Sequence, residues 1–499
     1  MTEQQSSSEA KKAGAVGEPK EKVRKLLGIG PIETSHEISA RGRKLAYTAR
    51  AGAIPLKDPF DETEAEIFFT AYELDGVADR SQRPLTFAFN GGPGSASIWL
   101  HMGALGPKRV VMEKEGWMPA PPYRYEDNAH TWLDQTDLVF IDPVGTGFSR
   151  AAKEDLDKKF WGFKGDLESV GEFIRLYLTR YRRWTSPLFL AGESYGTTRA
   201  AGLAGHLVDR GIAFNGIVLI STALDLAAIR FMPGSDLPYQ LFVPTYTATA
   251  WYHGRLPPEL QKRSLSDLMA EVKAWSEGEL TLALMKGDRL PVGERRAVAE
   301  KLAAYTGLDP DYVLGTNLRV NIHRFCKELL RAERRSVGRL DSRFRGVEAL
   351  AVTERPEFDP SMAAIAPPYT SAFNHYVRAE LRIETDLTYE TLNSTVNESW
   401  EWEKGSMPAT GEALRSAIAK NPYMKVFVGQ GYYDLATPLF ATEYMLSHMN
   451  VDPAFRENIE MECYEAGHMF YLDHESLASF RADVERFIAS AVEGRVGPA

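Results

Sequence analysis

Apolar runs of four to six residues alternate with stretches of helical spacing through the first 230 positions. His36 to Ala49 and Ala65 to Leu74 carry β-type runs with Gly and Asp turns between them. Leu85-Thr86-Phe87-Ala88-Phe89 and Leu138-Val139-Phe140-Ile141 are near-continuous apolar strands. Between Gly165 and Arg183, Leu167, Val170, Phe173, Ile174, Leu176 and Leu178 fall on one stripe, which predicts a helix. A further strand ends at Ala191, a helix follows from Thr197 to about Val208, and Ile217-Val218-Leu219-Ile220 is the next strand. Strands apolar on both sides, alternating with helices, predict an α/β fold with a mostly parallel central sheet buried on both faces.

The pattern changes near Met232. Up to about Met407 the chain is charged and of helical character, with scattered aromatics and no strand–helix alternation. Alternation resumes at Val426-Phe427-Val428-Gly429. A last strand is expected from Ile459 to Tyr464, and a closing helix from Leu477 to Val492 has Phe480, Val484, Phe487 and Ile488 on one face. The expected organisation is a disordered tail over 1–30, a first core part over 31–231, a helical cap insertion over 232–407, and a second core part over 408–499. The tail is poor in large apolar residues and rich in Ser, Gly and mixed charge.

Composition narrows the function classes. The chain has 499 residues, 44% of them apolar, and a formal net charge of −10. An acidic balance without clustered Lys and Arg speaks against a nucleic-acid partner. The two cysteines, Cys326 and Cys463, form no C-x-x-C pair and are expected to be free thiols, with neither a metal nor another cofactor indicated. No run approaches the ~18 apolar residues of a membrane span, and residues 1–27 lack the apolar core of a signal peptide. No membrane contact and a cytoplasmic location are therefore expected.

The chemistry centres on Gly192-Glu193-Ser194-Tyr195-Gly196. Strand, G-x-S-x-G turn and helix together make a nucleophile elbow, with Ser194 held at the tip. A serine hydroxyl needs a base, and the base an orienting acid. On such a sheet the acid follows a late strand and the histidine the last one. Asp434 follows Val426–Gly429, and His468 lies in Ala466-Gly467-His468-Met469 after the last strand. Stabilising the oxyanion requires preorganised N–H donors. The Tyr195 amide and the glycine-rich loop Asn90-Gly91-Gly92-Pro93-Gly94 are the candidates. Trp251, Tyr252, Trp400 and Trp402 are candidate pocket walls, against the plainer reading as cap core.

Asn90-Gly91-Gly92-Pro93-Gly94-Ser95, Asp142-Pro143-Val144-Gly145-Thr146-Gly147-Phe148-Ser149, Gly192-Glu193-Ser194-Tyr195 and Gly467-His468-Met469 together resemble the signature blocks of the serine carboxypeptidase family, peptidase family S10. The resemblance implies an α/β-hydrolase fold. It also implies hydrolysis of C-terminal peptide bonds through an acyl-enzyme, with Ser194 as nucleophile, His468 as base and Asp434 as its orienter. It implies an oxyanion hole from Gly92 and Tyr195, and a receptor for the substrate's free carboxylate from Asn90, Gly91 and Glu193. Two carboxylates approach only if they share a proton, which favours acidic pH. A peptide with a free C-terminus is the implied partner, and a homodimer is compatible with the family.

Three features depart from the family pattern. Ala104 stands where a second Glu is usual before Gly106-Pro107, leaving Lys108 or Arg109 as alternative donors. Ser95 replaces a cysteine, the usual disulfides are not expected from two cysteines, and no secretory signal is visible. The loss at Ala104 keeps an esterase or acyltransferase with the same triad as the alternative activity. A catalytically silent binding module is the reading from a different class, opposed by the complete triad.

Overall fold

The computed structural model describes residues 23–402 and 408–493. The tail expected over 1–30 lies outside the described residues up to position 22. From there the chain is already anchored: Arg24 forms a two-pronged ion pair with Asp157, and Leu27 is buried in the core. Arg24 and Leu27 are thus fixed within the stretch expected to be tail, because one Leu and one Arg find partners that the composition of the segment does not reveal.

The central sheet contains β1 (Ile32–Ala40), β2 (Arg43–Lys57), β3 (Thr63–Leu74), β4 (Leu85–Phe89), β5 (Asp137–Ile141), β6 (Leu188–Glu193), β7 (Gly216–Ile220), β8 (Lys425–Gly431) and β9 (Ile459–Tyr464). Their spatial order is β1-β2-β3-β5-β4-β6-β7-β8-β9, with Arg150–Ala151 pairing on β3. The first three strands and β5 pair antiparallel, and every pairing from β5 to β9 is parallel. This is the mostly parallel α/β sheet that the apolar runs predict.

Successive residues of each strand point to opposite faces. Phe189, Ala191, Val218 and Ile220 therefore enter one core, while Leu190, Ile217 and Leu219 enter the other. The second core is closed by α1 (Phe163–Arg180), through Val170, Phe173, Ile174 and Tyr177, and by α2 (Tyr195–Val208). Truncating a fully buried ring such as Phe173 to alanine costs about 3–5 kcal/mol.

The 232–407 insertion holds two packings. Helices α3 (Val243–Tyr252), α4 (Leu265–Trp275) and α5 (Val292–Thr306) build a core of their own around Tyr246, Val272, Leu302 and Phe325. By contrast, α6 (Pro360–Ala379) inserts Ile365, Tyr369, Phe373 and Tyr376 into the first core. There it joins α9, which follows α7 (Gly411–Lys420) and α8 (Leu439–Ser447) and spans His474–Val492. The insertion also carries a short hairpin, Arg335–Val337 with Arg345–Val347. Three residues per strand are too few to register as a period-two pattern. Among the described residues no helix is long and apolar enough to cross a membrane.

Candidate active site

Parallel strands bring their C-terminal ends to one edge of the sheet. Asn90 follows β4, Ser194 follows β6, Asp434 lies three residues past β8, and His468 four residues past β9. Four segments far apart in sequence thus converge there. Asn90, Gly91, Gly92, Glu193, Ser194, Tyr195 and His468 all line one cavity of about 450 Å³.

Ser194 has φ 60° and ψ −128°, a conformation that residues with a side chain rarely adopt. The turn is held by Ser194 N–H donating to Ile220 O at 2.9 Å, and by the N–H and hydroxyl of Thr197 donating to Ser194 O at 2.8 and 2.7 Å. The flanking glycines are required by space: a Cβ at Gly192 would lie 2.2 Å from Gly196 O. Tyr195 is the first residue of α2, so its N–H has no acceptor within the helix. A Cβ on Gly91 would lie 2.4 Å from that same nitrogen. The Asn90–Gly94 loop therefore rests directly against the Tyr195 amide, and only glycine fits at position 91.

His468 Nδ1 lies 2.7 Å from Asp434 Oδ2 and 3.3 Å from Thr437 Oγ. The Asp434 carboxylate also accepts from Ala436 N at 2.7 Å, Thr437 N at 3.0 Å and Thr437 Oγ at 2.6 Å. Both residues are buried. Burial disfavours the imidazolium, but the charge and hydrogen bond of Asp434, with Glu193 beyond, outweigh it and hold the His468 pKa above its usual value. The histidine loop is fixed from below. Gly467 N–H donates to Asp341 Oδ2 at 3.0 Å, His468 N–H to Leu340 O at 2.6 Å, and Ser221 Oγ to His468 O at 2.5 Å. Asp341 is in turn paired with buried Arg343 at 2.7 Å.

Glu193 is fully enclosed, and burial pushes its carboxyl up to about 7 against the opposing effects of His468, Tyr471 and Asn90. Tyr471 Oη donates to Glu193 Oε2 at 2.5 Å. Asn90 is anchored through Oδ1, which accepts from Leu100 N at 3.1 Å. Its Nδ2 finds no acceptor at hydrogen-bonding distance among the described residues, though it lies near enough to Glu193 to help lower that carboxyl's pKa. A buried carboxyl able to hold a proton near neutrality and a spare amide donor thus face the same cavity as Ser194. Behind them, Arg199 pairs with buried Asp166 at 2.8 Å and donates to Asn90 O at 2.7 Å.

The position of Ala104 is buried in the turn that ends at Leu105, and the space before it is filled by tyrosines. A Cβ on Gly103 would lie 2.5 Å from Tyr369 Oη and 2.7 Å from the Tyr471 ring. Neither alternative donor reaches the cavity: Lys108 is engaged by Asp127 at 2.7 Å, and Arg109 is buried outside the cavity lining. The side chain bonded to Glu193 is instead Tyr471, in the short turn Phe470–Leu472 just after His468. The only sequence signal for it is that nearness to the histidine.

The Asp142–Ser149 block is scaffold. Asp142 Oδ1 accepts from Ser97 N at 2.8 Å, below the glycine-rich loop. Asn393 and Asn397 hold the glycine-rich loop: Asn397 Nδ2 donates to Pro93 O at 2.9 Å and Asn393 N–H to Gly94 O at 2.8 Å, while Asn393 Nδ2 ties in the Asp142–Ser149 block at Gly145 O, 2.9 Å. Of the four candidate wall aromatics, Trp402 lines the cavity and Trp400 is buried against the Tyr195 ring at 5.4 Å, whereas Trp251 and Tyr252 lie elsewhere. Cys326 and Cys463 are free thiols. Among the described residues no group of three or more His, Cys, Asp or Glu is placed to hold a metal.

Comparison with known proteins gives concordant matches. The serine carboxypeptidase family model matches residues 58–466. The pheromone-processing carboxypeptidase KEX1 of Saccharomyces cerevisiae is 33% identical over 158 residues, 29% of this chain and 20% of that protein. Serine carboxypeptidase-like 33 of Arabidopsis thaliana is 31% identical over 153 residues, 30% of each chain. These alignments span less than a third of either relative's length. The crystal structure of the yeast KEX1 carboxypeptidase superposes with a TM-score of 0.54 at 17% identity, covering 88% of this chain and 91% of that one, which shows a shared fold.

Proposed function

The chain belongs to the serine carboxypeptidase family, and we propose that it removes single residues from peptide C-termini through an acyl-enzyme on Ser194. The carrying observation is that a strained serine, an Asp434-oriented histidine and a buried protonatable carboxyl, Glu193, converge on one cavity. In this reading His468 Nε2 takes the Ser194 proton as Oγ attacks the scissile carbonyl carbon. The resulting oxyanion is held by the N–H groups of Gly92 and Tyr195. On collapse the C–N bond breaks, and the leaving amine receives the proton from His468. Water then repeats the sequence at the ester, releasing the shortened peptide and restoring Ser194.

The substrate's terminal carboxylate is received by Asn90 Nδ2 and by protonated Glu193, packed against Gly91. Tyr471 fixes which oxygen carries that proton. A phenol whose pKa lies far above the working range is a donor throughout it. Its donation to Oε2 leaves Oε1 to carry the proton toward the substrate. Incubation with an N-blocked peptide tests the reading. One free C-terminal residue should be released per turnover by the wild type, and none by Ser194→Ala. Cleavage at internal bonds would contradict it, and cleavage of esters alone would favour the esterase or acyltransferase alternative.

A further inference from the structure

The cavity that holds Ser194 is also lined by two cations, Arg230 and Arg339. Apart from Glu193, no carboxylate among the described residues lines it. Arg339 is about half exposed and approaches Asp359 only at 4.0 Å. Arg230 is partly buried and has no carboxylate partner among the described residues; burial alone lowers its pKa, with no acidic neighbour opposing it. A guanidinium taken partly out of water without a counter-ion is costly unless something compensates. Here the compensation is Trp402, whose ring lies 4.3 Å below the Arg230 carbon. None of the Arg230 N–H groups donates to a described residue, so the guanidinium keeps the donors that can bind a carboxylate with two hydrogen bonds.

Sheet order places Arg230 relative to Ser194. The terminal-carboxylate receptor uses Asn90, after β4, whereas Arg230 follows β7; β6, which carries Ser194, runs between those two strands. Trp402 packs edge-on against the ring of Tyr195 at 6.1 Å, tying Arg230 to the nucleophile's helix. With the terminal carboxylate on the β4 side, the acyl part of the substrate extends on the β7 side.

We propose that Arg230, stacked on Trp402 and assisted by Arg339, forms a subsite for an acidic side chain on the penultimate residue, so that the enzyme prefers Glu or Asp there and rejects Lys and Arg. This rests on the carboxypeptidase reading above. An ionised side chain gains a bidentate pair, while a basic one meets two like charges in a partly water-excluded wall.

The test compares N-blocked dipeptides with a common C-terminal residue and Glu, Gln, Leu or Lys at the penultimate position, at pH 6 and low salt. For the wild type, kcat/KM for Glu should exceed that for Lys at least tenfold, with Gln between, and the ratio should shrink as salt screens the charges. Arg230→Met, which keeps an apolar stem on Trp402, should collapse the Glu-to-Lys ratio several-fold, and Arg230→Glu should invert its order. Each ratio is internal to one variant, so loss of folded enzyme cancels. A wild-type ratio near one, or the same ratio in all three proteins, would overturn the subsite. If none of the four dipeptides is cleaved while a fluorophosphonate still labels Ser194, the carboxypeptidase reading fails and takes the subsite with it. Cleavage with an unaltered ratio removes the subsite alone.

Discussion

Glu193 combines two demands that ordinarily conflict. Its carboxyl is buried in the cavity wall, and burial lifts its pKa from 4.5 to about 7, equivalent to roughly 3 kcal/mol. The sign follows directly. Below about pH 7 the group is neutral and can share its proton with a substrate carboxylate; above it, two carboxylates would repel. KM for free-acid peptides should therefore rise as pH passes through 7. Glu193→Gln, an amide donor at every pH, should flatten that rise while leaving the Ser194 labelling rate little changed. The same substitution should raise the Tm of the empty enzyme much more at pH 8 than at pH 5, because the penalty of the raised pKa grows between the unfolded value of 4.5 and about 7 and is complete only above that. The Tyr471 bond lowers the Glu193 pKa, so Tyr471→Phe should move the break in KM to higher pH. An unmoved break would remove Tyr471 from the receptor. Ser194→Ala and His468→Ala should each reduce kcat by roughly 10⁴–10⁶. Activity near wild type in either would refute the triad.

At the scale of elements, what was legible in the sequence was what a strand or helix announces by itself. The runs at Leu85–Phe89 and Ile217–Ile220, and the stripe from Leu167 to Leu178, appear where periodicity puts them. The elbow was legible because glycine spacing around Ser194 is a backbone requirement written into the chain. Tyr471 was not, since a tyrosine in a three-residue turn carries no periodic signal and its partner Glu193 lies 278 positions away. The destination of α6 was hidden too: its apolar stripe specifies a buried face but not against which core. Gly91 supplies a test at this scale. Because a side chain there would strike the Tyr195 amide, Gly91→Ala should lower kcat by about 10²–10³, the size expected for a damaged oxyanion hole. Retention of kcat would show that the loop and elbow are not coupled in that way.

Across the whole molecule, the insertion supports the loops that line the Ser194 cavity. Segment 338–344 lies beneath the histidine loop, and the turn at Asn393–Asn397 clamps the Asn90–Gly94 loop. Asp341→Ala should cost about 3–5 kcal/mol, since it strands Arg343 in a buried site, and should lower Tm and activity together. Asp341→Asn, which keeps an acceptor for Gly467 N–H, should recover part of both. A full Tm with full activity in Asp341→Ala would detach the insertion from His468. The most direct measurement compares kcat/KM for one N-blocked dipeptide as its free acid and as its C-terminal amide, from pH 5 to 8. Both profiles should share the acidic limb set by His468, which must be neutral to act as base. Only the free acid should lose efficiency as Glu193 ionises. Its advantage should be about 10–100-fold below pH 7 and fall toward unity above it. Equal rates for acid and amide at every pH would contradict the recognition of a C-terminal carboxylate by Glu193.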